Sequence, residues 1–330
     1  MIAQKGFGKP SNSHLNKSQR GRIMKRNLSY FCMLITLICS TWSLGALAFA
    51  AEDGLVSNIN NEELAIGFSE NVLPPSSDFV GKEIKLYLEN GWIINYLFLD
   101  RDTVKWEILE GEGKGDKNVC MYTATKAREN IYLVDFVDNN NGTTKSVSIV
   151  IDTEKGIALV VVGQMPTKEE ASIPFWKKAQ EKKMITGVAA EFIPAIVNKP
   201  FTKNTERFER TRDLIGKRVQ FTYSSKDAYE HIYLNDHFYT WHCLAGNERG
   251  LADTDYANYF KIADKLYLFV WQEKIIPTLG VVIEDFSAKR SYGKLFGYAG
   301  FDFSKVINIP VGSFATELYN TTYDYSRLKK

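Results

Sequence analysis

An internal repeat is the feature that most limits the folds available to this chain of 330 residues. The dipeptide Gly81-Lys82 recurs as Gly216-Lys217, a period of 135 residues, and the spacing then holds without a gap for more than fifty residues. The stretch 97–100 (LFLD) falls on 232–235 (IYLN). Further matched pairs are Trp106 with Trp241, Gly111 with Gly246, and Tyr132 with Tyr267. Self-similarity at a fixed spacing indicates one domain built twice.

Each copy reads as a series of short strands. "GKEIKLYLENGWIINYLFLD" alternates around Asn90-Gly91, a dipeptide expected to supply two positive φ angles to a tight hairpin. "KGIALVVVG" in the first copy and "TLGVVIEDF" in the second continue the pattern as short β-rich runs. Runs of this length joined by short turns indicate an antiparallel meander, and closure into a barrel would remove its exposed edges. The sequence therefore predicts a mainly all-β chain of two tandem antiparallel barrels.

The segment between the copies differs in composition. Residues 164–212 include "TKEEASIPFWKKAQEKKMITGVAAEFIPAIV", which we interpret as helical and interrupted at Pro194 and Pro200. The predicted organisation is a targeting segment over 1–50, a first barrel over 51–163, a helical linker over 164–212 and a second barrel over 213–330.

The first fifty residues are typical of a secretory signal peptide. They hold seven basic and no acidic residues, followed by an apolar run that ends in Ala48-Phe49-Ala50. We expect cleavage near Ala50 and a secreted, periplasmic protein. A permanent membrane anchor is the alternative, because a run of about 21 residues could just span a bilayer.

The remaining chain is slightly acidic. Without the seven basic residues of the first fifty, 34 of the 41 basic residues remain, compared with 39 acidic residues. No Lys/Arg-rich stripe remains to suggest nucleic acid, and no membrane contact is expected after cleavage. Cys120 and Cys243 are the two cysteines left; they could pair in an oxidising compartment or remain two buried thiols.

Long stretches of the second copy resemble a known family. "RTRDLIGKRVQFTYSSKDAYEHIYLNDHFYTWHCLAGNERGLADTD" and "LYLFVWQEKIIPTLGVVIEDF" closely resemble the C-terminal half of the molybdenum cofactor biosynthesis protein F (MoaF) family, and the first copy resembles its N-terminal half. The resemblance implies two calycin-type, lipocalin-like barrels in tandem. No recognisable pterin or metal site accompanies it, so no cofactor is expected.

A more distant likeness is to the bacterial phenolic acid decarboxylases, which are single calycin barrels without a cofactor. It rests on Asn90-Gly91-Trp92 in the first copy and on Trp271-Gln272-Glu273 in the second. The resemblance implies first-strand tyrosines, a loop arginine and a glutamate that protonates the substrate alkene as carbon dioxide leaves. In the second copy Tyr223 occupies one tyrosine position and Phe221 the other, while Arg249 lies about two residues from the arginine position.

These likenesses place the predicted site in the second barrel. Glu273 shares strand parity with Trp271 and would point inward as a general acid or base; the alternative is a carboxylate that faces water or pairs with Lys274. Tyr223 and Arg249 would hold an anionic group, and His231 would orient the ring. The predicted ligand-binding residues are Phe221, Tyr229, Tyr239, Trp241, Trp271, Asp253 and Asp255. The alternatives are a mixed aromatic core and, for the two aspartates in "GNERGLADTD", a solvated charged loop.

Three histidines in "YEHIYLNDHFYTWHC" raise the question of a metal site. A two-residue loop at 235–236 would put His242 on the same face as His231, whereas a three-residue loop at 235–237 would pair His231 with Trp241 and turn His242 outward. The decarboxylase-like parity favours the three-residue loop, with His237 exposed in the turn. We therefore predict no metal.

Two functions remain open from the sequence. The first is a cofactor-independent lyase or isomerase that acts on a small aromatic or phenolic ligand in the second barrel. The second is a non-catalytic, lipocalin-like carrier or sensor with the same pocket. The first barrel could serve dimerisation or docking, as in a homodimer.

Overall fold

A computed structural model describes residues 61–327 except 141, 301 and 325, with the side chains of 61–63 also left aside. The predicted signal peptide lies outside these residues. Within the described part of the chain, no helix is both long and apolar enough to cross a membrane.

Eight antiparallel strands close into the first barrel. The last strand, β8, pairs with the first, β1, through Ala195–Val197 and completes the ring. The strands are β1 Glu83–Leu88, β2 Ile93–Phe98, β3 Thr103–Glu110, β4 Lys117–Arg128, β5 Ile131–Asn140, β6 Thr143–Asp152, β7 Ile157–Gln164 and β8 Ala189–Val197.

The second barrel repeats the arrangement. Its ring closes through the pairing of β12 with β13, and the two-residue strand β9 (Glu209–Arg210) adds to the edge of β13. The strands are β10 Lys217–Thr222, β11 Ala228–Tyr233, β12 Phe238–Ala245, β13 Ala252–Ala263, β14 Leu266–Glu273, β15 Thr278–Asp285, β16 Arg290–Ala299 and β17 Asp302–Asn320. Short helices are α1 Asn61–Phe68, α2 Lys168–Ala171 and α3 Phe175–Gln180. The prediction of tandem all-β barrels is confirmed.

The sequence repeat is visible in the backbone. Strands β2 to β4 and β11 to β13 begin and end at the same offset of 135 residues. Gly111 and Gly246, which match in sequence, both have a φ of 121°. A Cβ atom at either glycine would lie 2.6 Å from a neighbouring side chain, that of Trp92 or Asp227. Each copy therefore needs glycine at this point, both for its backbone angle and for close packing.

The Asn90-Gly91 turn departs from the prediction. Gly91 has a φ of 88°, but Asn90 is not among the positive-φ residues. Its side-chain Oδ1 instead accepts a hydrogen bond from the backbone N–H of Trp92 at 3.1 Å. The expectation of two positive φ angles is wrong for Asn90, because this side-chain bond stabilises a different turn.

The helical prediction for 164–212 is wrong in its second half. Helices α2 and α3 are short, and residues 189–197 form β8, which pairs with β7 along its length. Pro194 lies just outside the part of β8 that pairs with β1, where its missing N–H is tolerated. Closure of the first barrel therefore takes its eighth strand from the segment interpreted as a linker.

The two barrels pack side by side through the outer faces of β5–β8 and β13–β16. Their contact forms a shared apolar cluster that includes Leu133, Leu159, Val161, Leu268, Leu279 and Phe296. Strands β7 and β15 are buried on both faces, which explains why their sequences are nearly continuous apolar runs rather than an alternation.

Buried polar groups also link the barrels. Lys294 forms an ion pair with Asp135 and donates a hydrogen bond to Ser146. Asp135 also accepts hydrogen bonds from Ser148 at 2.9 Å and from Asn308 at 2.8 Å. Burial lowers the pKa of Lys294, opposed by the neighbouring Asp135 carboxylate. The charge of Lys294 is therefore stabilised in the interface by one carboxylate.

Helix α1 packs on the second barrel rather than the first. The Phe68 ring stacks on Tyr223 with centroids 4.0 Å apart. Asn71 donates from Nδ2 to the Tyr223 backbone oxygen at 2.6 Å, and Arg290 donates to the Asn71 backbone oxygen at 2.7 Å. Residues 61–71, which were predicted to belong to the first barrel (51–163), therefore pack on the second barrel.

Replacement of Asp135 by Asn should destabilise the protein by about 3 kcal/mol, because it leaves the Lys294 ammonium buried without its counter-charge. Urea denaturation would measure the loss. The double variant Asp135→Asn with Lys294→Met is the control and should recover most of it. An unchanged unfolding midpoint in Asp135→Asn alone would contradict the role given to this pair.

Candidate functional site

A cavity of about 370 Å³ lies inside the second barrel. The loops β10–β11, β12–β13 and β14–β15 lie at the same end, because successive turns of an antiparallel meander alternate between ends. Residues of those loops and of α1 contribute to its wall. The aromatic lining consists of Phe68, Tyr223, Tyr229, Tyr239, Trp241 and Trp271, and the polar lining of His231, Glu248, Asp253, Glu273 and Thr278.

Glu273 is the last residue of β14 and lines the cavity, as its strand parity predicts. Its Oε1 accepts a hydrogen bond from Trp271 Nε1 at 2.8 Å. Burial, reinforced by the nearby Asp255 carboxylate, holds the pKa of Glu273 well above its usual range. The alternative pairing with Lys274 does not occur, since that ammonium lies 2.5 Å from Asp253 and 3.2 Å from Asp255.

His231 is buried in the cavity wall, with only 4% of its surface exposed. Its Nδ1 atom has no hydrogen-bond partner among the described residues. Its ring is surrounded by Phe221, Tyr239 and Trp271 at centroid distances of 4.7, 5.2 and 5.9 Å. Burial lowers the pKa of His231 to about 3, so the ring is neutral at physiological pH. A neutral imidazole with an unpaired nitrogen can accept or donate one hydrogen bond to a bound molecule.

The register of the β11–β12 hairpin separates the histidines. His231 pairs with Trp241 and His242 pairs with Glu230, so the prediction of a three-residue loop is confirmed. His242 points outward, with Nδ1 3.6 Å from Glu230 Oε2, and His237 is exposed in the turn beside Tyr256. Within the described chain, no group of three or more His, Cys, Asp or Glu side chains is placed to hold a metal ion.

Tyr229 and Glu248 form a second polar pair in the wall. Tyr229 donates from its hydroxyl to Glu248 Oε2 at 2.7 Å. Burial raises the pKa of Glu248, and this hydrogen bond opposes the rise. Glu248 lies in the loop between β12 and β13, within the stretch "GNERGLADTD".

Arg249 does not join the site. It is exposed in the same loop and does not line the cavity. Because the chain turns at 246–250, Glu248 faces inward and Arg249 lies at the surface. The predicted anion-holding pair of Tyr223 and Arg249 is therefore not assembled.

The two aspartates lie in a strand rather than in a loop, since β13 begins at Ala252. Asp253 lines the cavity, whereas Asp255 lies behind Trp241 and accepts its Nε1–H at 3.0 Å. Lys274 bridges both carboxylates.

The remaining predicted residues divide in a similar way. Tyr223, Tyr239 and Trp271 line the cavity, but Phe221 packs behind His231 as a core residue. The lining residues that the sequence analysis missed include Leu64 and Phe68 of α1 and Glu248. The acidic loop gave a signal for Glu248, but no local pattern connects α1 to a barrel that begins about 150 residues later.

Cys120 and Cys243 are unpaired and buried. Each lies in a different barrel, on β4 and on β12. Of the two alternatives that the sequence left open, the structure shows separate thiols.

Both halves of the chain match known protein-family models. Residues 57–167 match the MoaF N-terminal domain and residues 208–321 match the MoaF C-terminal domain. The chain belongs to the MoaF family. It is 37% identical to Protein MoaF of Klebsiella aerogenes over 264 residues, which cover 78% of this chain and 94% of that protein. A solved structure from Burkholderia vietnamiensis, described as a proposed beta-lactamase, covers 33% of this chain and all of its own at 19% identity, with a TM-score of 0.28.

The first barrel of this MoaF-family chain has a different interior at the matching positions. Asp138 corresponds to Glu273, and Tyr96 corresponds to His231. Asp138 Oδ1 is approached by Trp106 Nε1 at 3.3 Å, Asn118 Nδ2 at 2.8 Å and Cys120 Sγ at 3.5 Å. Oδ1 of this carboxylate already has three protein partners, whereas Glu273 has one, so the second barrel is the better candidate for a ligand.

A second buried acid lies deeper in the second barrel. Glu284 of β15 accepts a hydrogen bond from the Tyr233 hydroxyl, and its other oxygen, Oε2, has no partner among the described residues. Burial raises the pKa of Glu284 to about 8, an effect that the Tyr233 bond opposes. The folded protein therefore holds a proton here at pH values at which the unfolded chain has lost it.

This difference makes stability depend on pH. Above the ordinary Glu pKa of 4.5 the unfolded state ionises while the folded state stays protonated, so stability should fall as pH rises towards 8. The slope from this group should be about 1.4 kcal/mol per pH unit. Urea denaturation between pH 5.5 and 7.5 should show the fall, and Glu284→Gln should remove the part of the slope that this group contributes, while Glu273 still contributes its own part. An equally steep fall in Glu284→Gln would assign it to other groups.

Proposed function

We propose that the second barrel of this MoaF-family protein binds a small aromatic or phenolic molecule. The observation that carries the proposal is a cavity walled by aromatic rings, with the buried His231 in that wall and its Nδ1 without a hydrogen-bond partner among the described residues. Aromatic rings favour a flat apolar guest, and one convergent polar group fixes its orientation.

The dimensions of the cavity agree with one small guest. Its volume of about 370 Å³ is near the lower end of the usual range for ligand pockets, roughly 300 to 1,000 Å³. An eight-stranded barrel leaves room for filling side chains or for one small ligand. Helix α1 covers part of the cavity through Leu64 and Phe68 and would shield the guest from water.

Export is part of the same proposal. The basic and apolar segment before Ala50 favours binding outside the cytoplasm, in the periplasm or beyond. A small-molecule carrier or sensor is a role consistent with that compartment.

Binding can be tested by titrating the purified protein with a panel of hydroxycinnamates and phenolic amines while monitoring tryptophan fluorescence. Trp241 and Trp271 line the cavity, so a ring bound there should quench their emission. His231→Phe should weaken binding about tenfold through loss of one buried hydrogen bond. Tyr96→Phe, at the matching position of the first barrel, is the control and should bind normally. No quenching by any compound would contradict the proposal.

A second candidate function is acid–base chemistry on the bound molecule. The observation that favours it is the inward carboxyl of Glu273, whose pKa is raised by burial, as that of a general acid must be. With Tyr223 and His231 in the same wall, the reaction class would be a cofactor-independent lyase or isomerase.

Turnover separates the two candidates. If Glu273 transfers the proton, Glu273→Gln should lower kcat at least about 100-fold, because its amide cannot replace a general acid. Product formation by chromatography would measure it, with Asp138→Asn in the first barrel as the matched control. Binding without product in the unaltered protein, or unchanged turnover in Glu273→Gln, would leave the carrier function and reject the enzyme.

A further inference from the structure

We propose that the ligand of the second barrel is an organic cation: an aromatic ring with an ammonium group on a short chain, the ammonium lying against Glu273. This inference rests on the proposed function and names the charge of its ligand. From the sequence we predicted a ligand with an anionic group held by Tyr223 and Arg249. The proposed ligand has the opposite charge.

The first observation is the charge of the wall. Three carboxyl groups line the cavity, those of Glu248, Asp253 and Glu273, and none of the lining residues that the structure describes is a lysine or arginine. Lys274 lies between Asp253 and Asp255 and compensates those two. A bound carboxylate would meet acidic groups without a lysine or arginine in the wall to offset them, whereas a cation would supply the missing charge.

The second observation concerns the donors that Glu248 and Glu273 already have. Each receives one hydrogen bond from a neutral aromatic donor, Tyr229 for Glu248 and Trp271 for Glu273. No described residue donates to the other oxygen of Glu273, Oε2. A primary ammonium has three donors and can use that free acceptor position.

The aromatic rings supply the third observation. Tyr223, Trp241 and Trp271 present ring faces or edges to the same cavity. A cation over an aromatic face is attracted by the ring quadrupole, most strongly when water is excluded and the ring is tryptophan. An aromatic wall around buried carboxyl groups is therefore suited to an ammonium and poorly suited to an anion.

His231 fits this arrangement. Because burial keeps its pKa low, the ring is neutral and adds no positive charge that would repel a cation. It lies one inward-facing position deeper along β11 than Tyr229, so its neutral ring would contact the hydroxyl or the ring edge of the guest while the ammonium remains at Glu273.

Binding of a cation should be linked to a proton. In the empty cavity burial raises the pKa of Glu273, and an ammonium beside it would favour the ionised carboxylate. The charged and titratable groups around Glu273 are Glu248, Asp253, Asp255, Lys274, Tyr223, Tyr239 and His231. Burial raises the pKa of both tyrosines and lowers that of His231, so these groups stay neutral and Glu273 is the group expected to release the proton. Amine affinity should therefore rise with pH as long as the pH lies below the raised pKa of Glu273.

The test compares three ligands that share one phenyl ring: 2-phenylethylamine, 2-phenylethanol and 3-phenylpropanoate. Tryptophan fluorescence and isothermal titration calorimetry would measure Kd, and calorimetry in two buffers of different ionisation enthalpy would count protons released. We expect the amine to bind at least about tenfold more tightly than the alcohol, the propanoate to bind most weakly, and amine binding to release protons.

Variants sharpen the comparison. Glu273→Gln should lower amine affinity about tenfold, abolish the proton release and change alcohol affinity less than about threefold. Glu248→Gln gives a second, independent reduction for the amine, and Asp138→Asn in the first barrel should change nothing. Equal affinities for amine and alcohol, or equal losses for both in Glu273→Gln, would overturn the charge while leaving aromatic binding intact. Failure of all three ligands, and of the phenolic panel, would contradict the proposed function itself.

Discussion

The closure of each eight-stranded sheet on itself is the constraint on which the rest of the structure depends. A closed barrel has a single interior, and strand alternation sends every second side chain into it. In the second barrel the register of β11 with β12 decides which side chains those are: His231 enters and His242 does not. A shift of one residue would exchange the two faces, so the chemistry of the cavity is fixed by a hairpin loop of three residues.

The two barrels share this geometry but use it differently. Both keep the same offsets for three strands and a glycine with the same positive φ, Gly111 or Gly246. In the first barrel Asp138 is surrounded by protein donors, whereas in the second Glu273 and His231 keep unused hydrogen-bonding capacity beside a cavity. The two copies therefore differ in how many protein partners their matching carboxyl groups have, and the second leaves more of this capacity for a guest.

The acidic groups inside the second barrel explain why its interior is electrostatically unusual. Glu273 and Glu284 both lie among aromatic rings, and burial raises the pKa of each. A carboxyl group in such surroundings costs stability if it must ionise without a counter-charge. At Glu273, near one end of the barrel, a cationic ligand would lower the free-energy cost of ionisation. At Glu284, in the interior, the hydrogen bond from Tyr233 lowers part of it.

The sequence by itself determined the all-β class, the duplication, the family and much of the wall, because strand parity and a 135-residue period are local or directly comparable patterns. Strand parity and the repeat predicted correctly that Tyr223, His231, Trp271 and Glu273 line the interior of the second barrel. Only the tertiary structure decided that residues 189–197 close the first barrel, that α1 covers the second, and that Arg249 lies outside the cavity. Each depends on contacts between residues far apart in the chain or on the path of an irregular loop, which no periodicity in the sequence specifies.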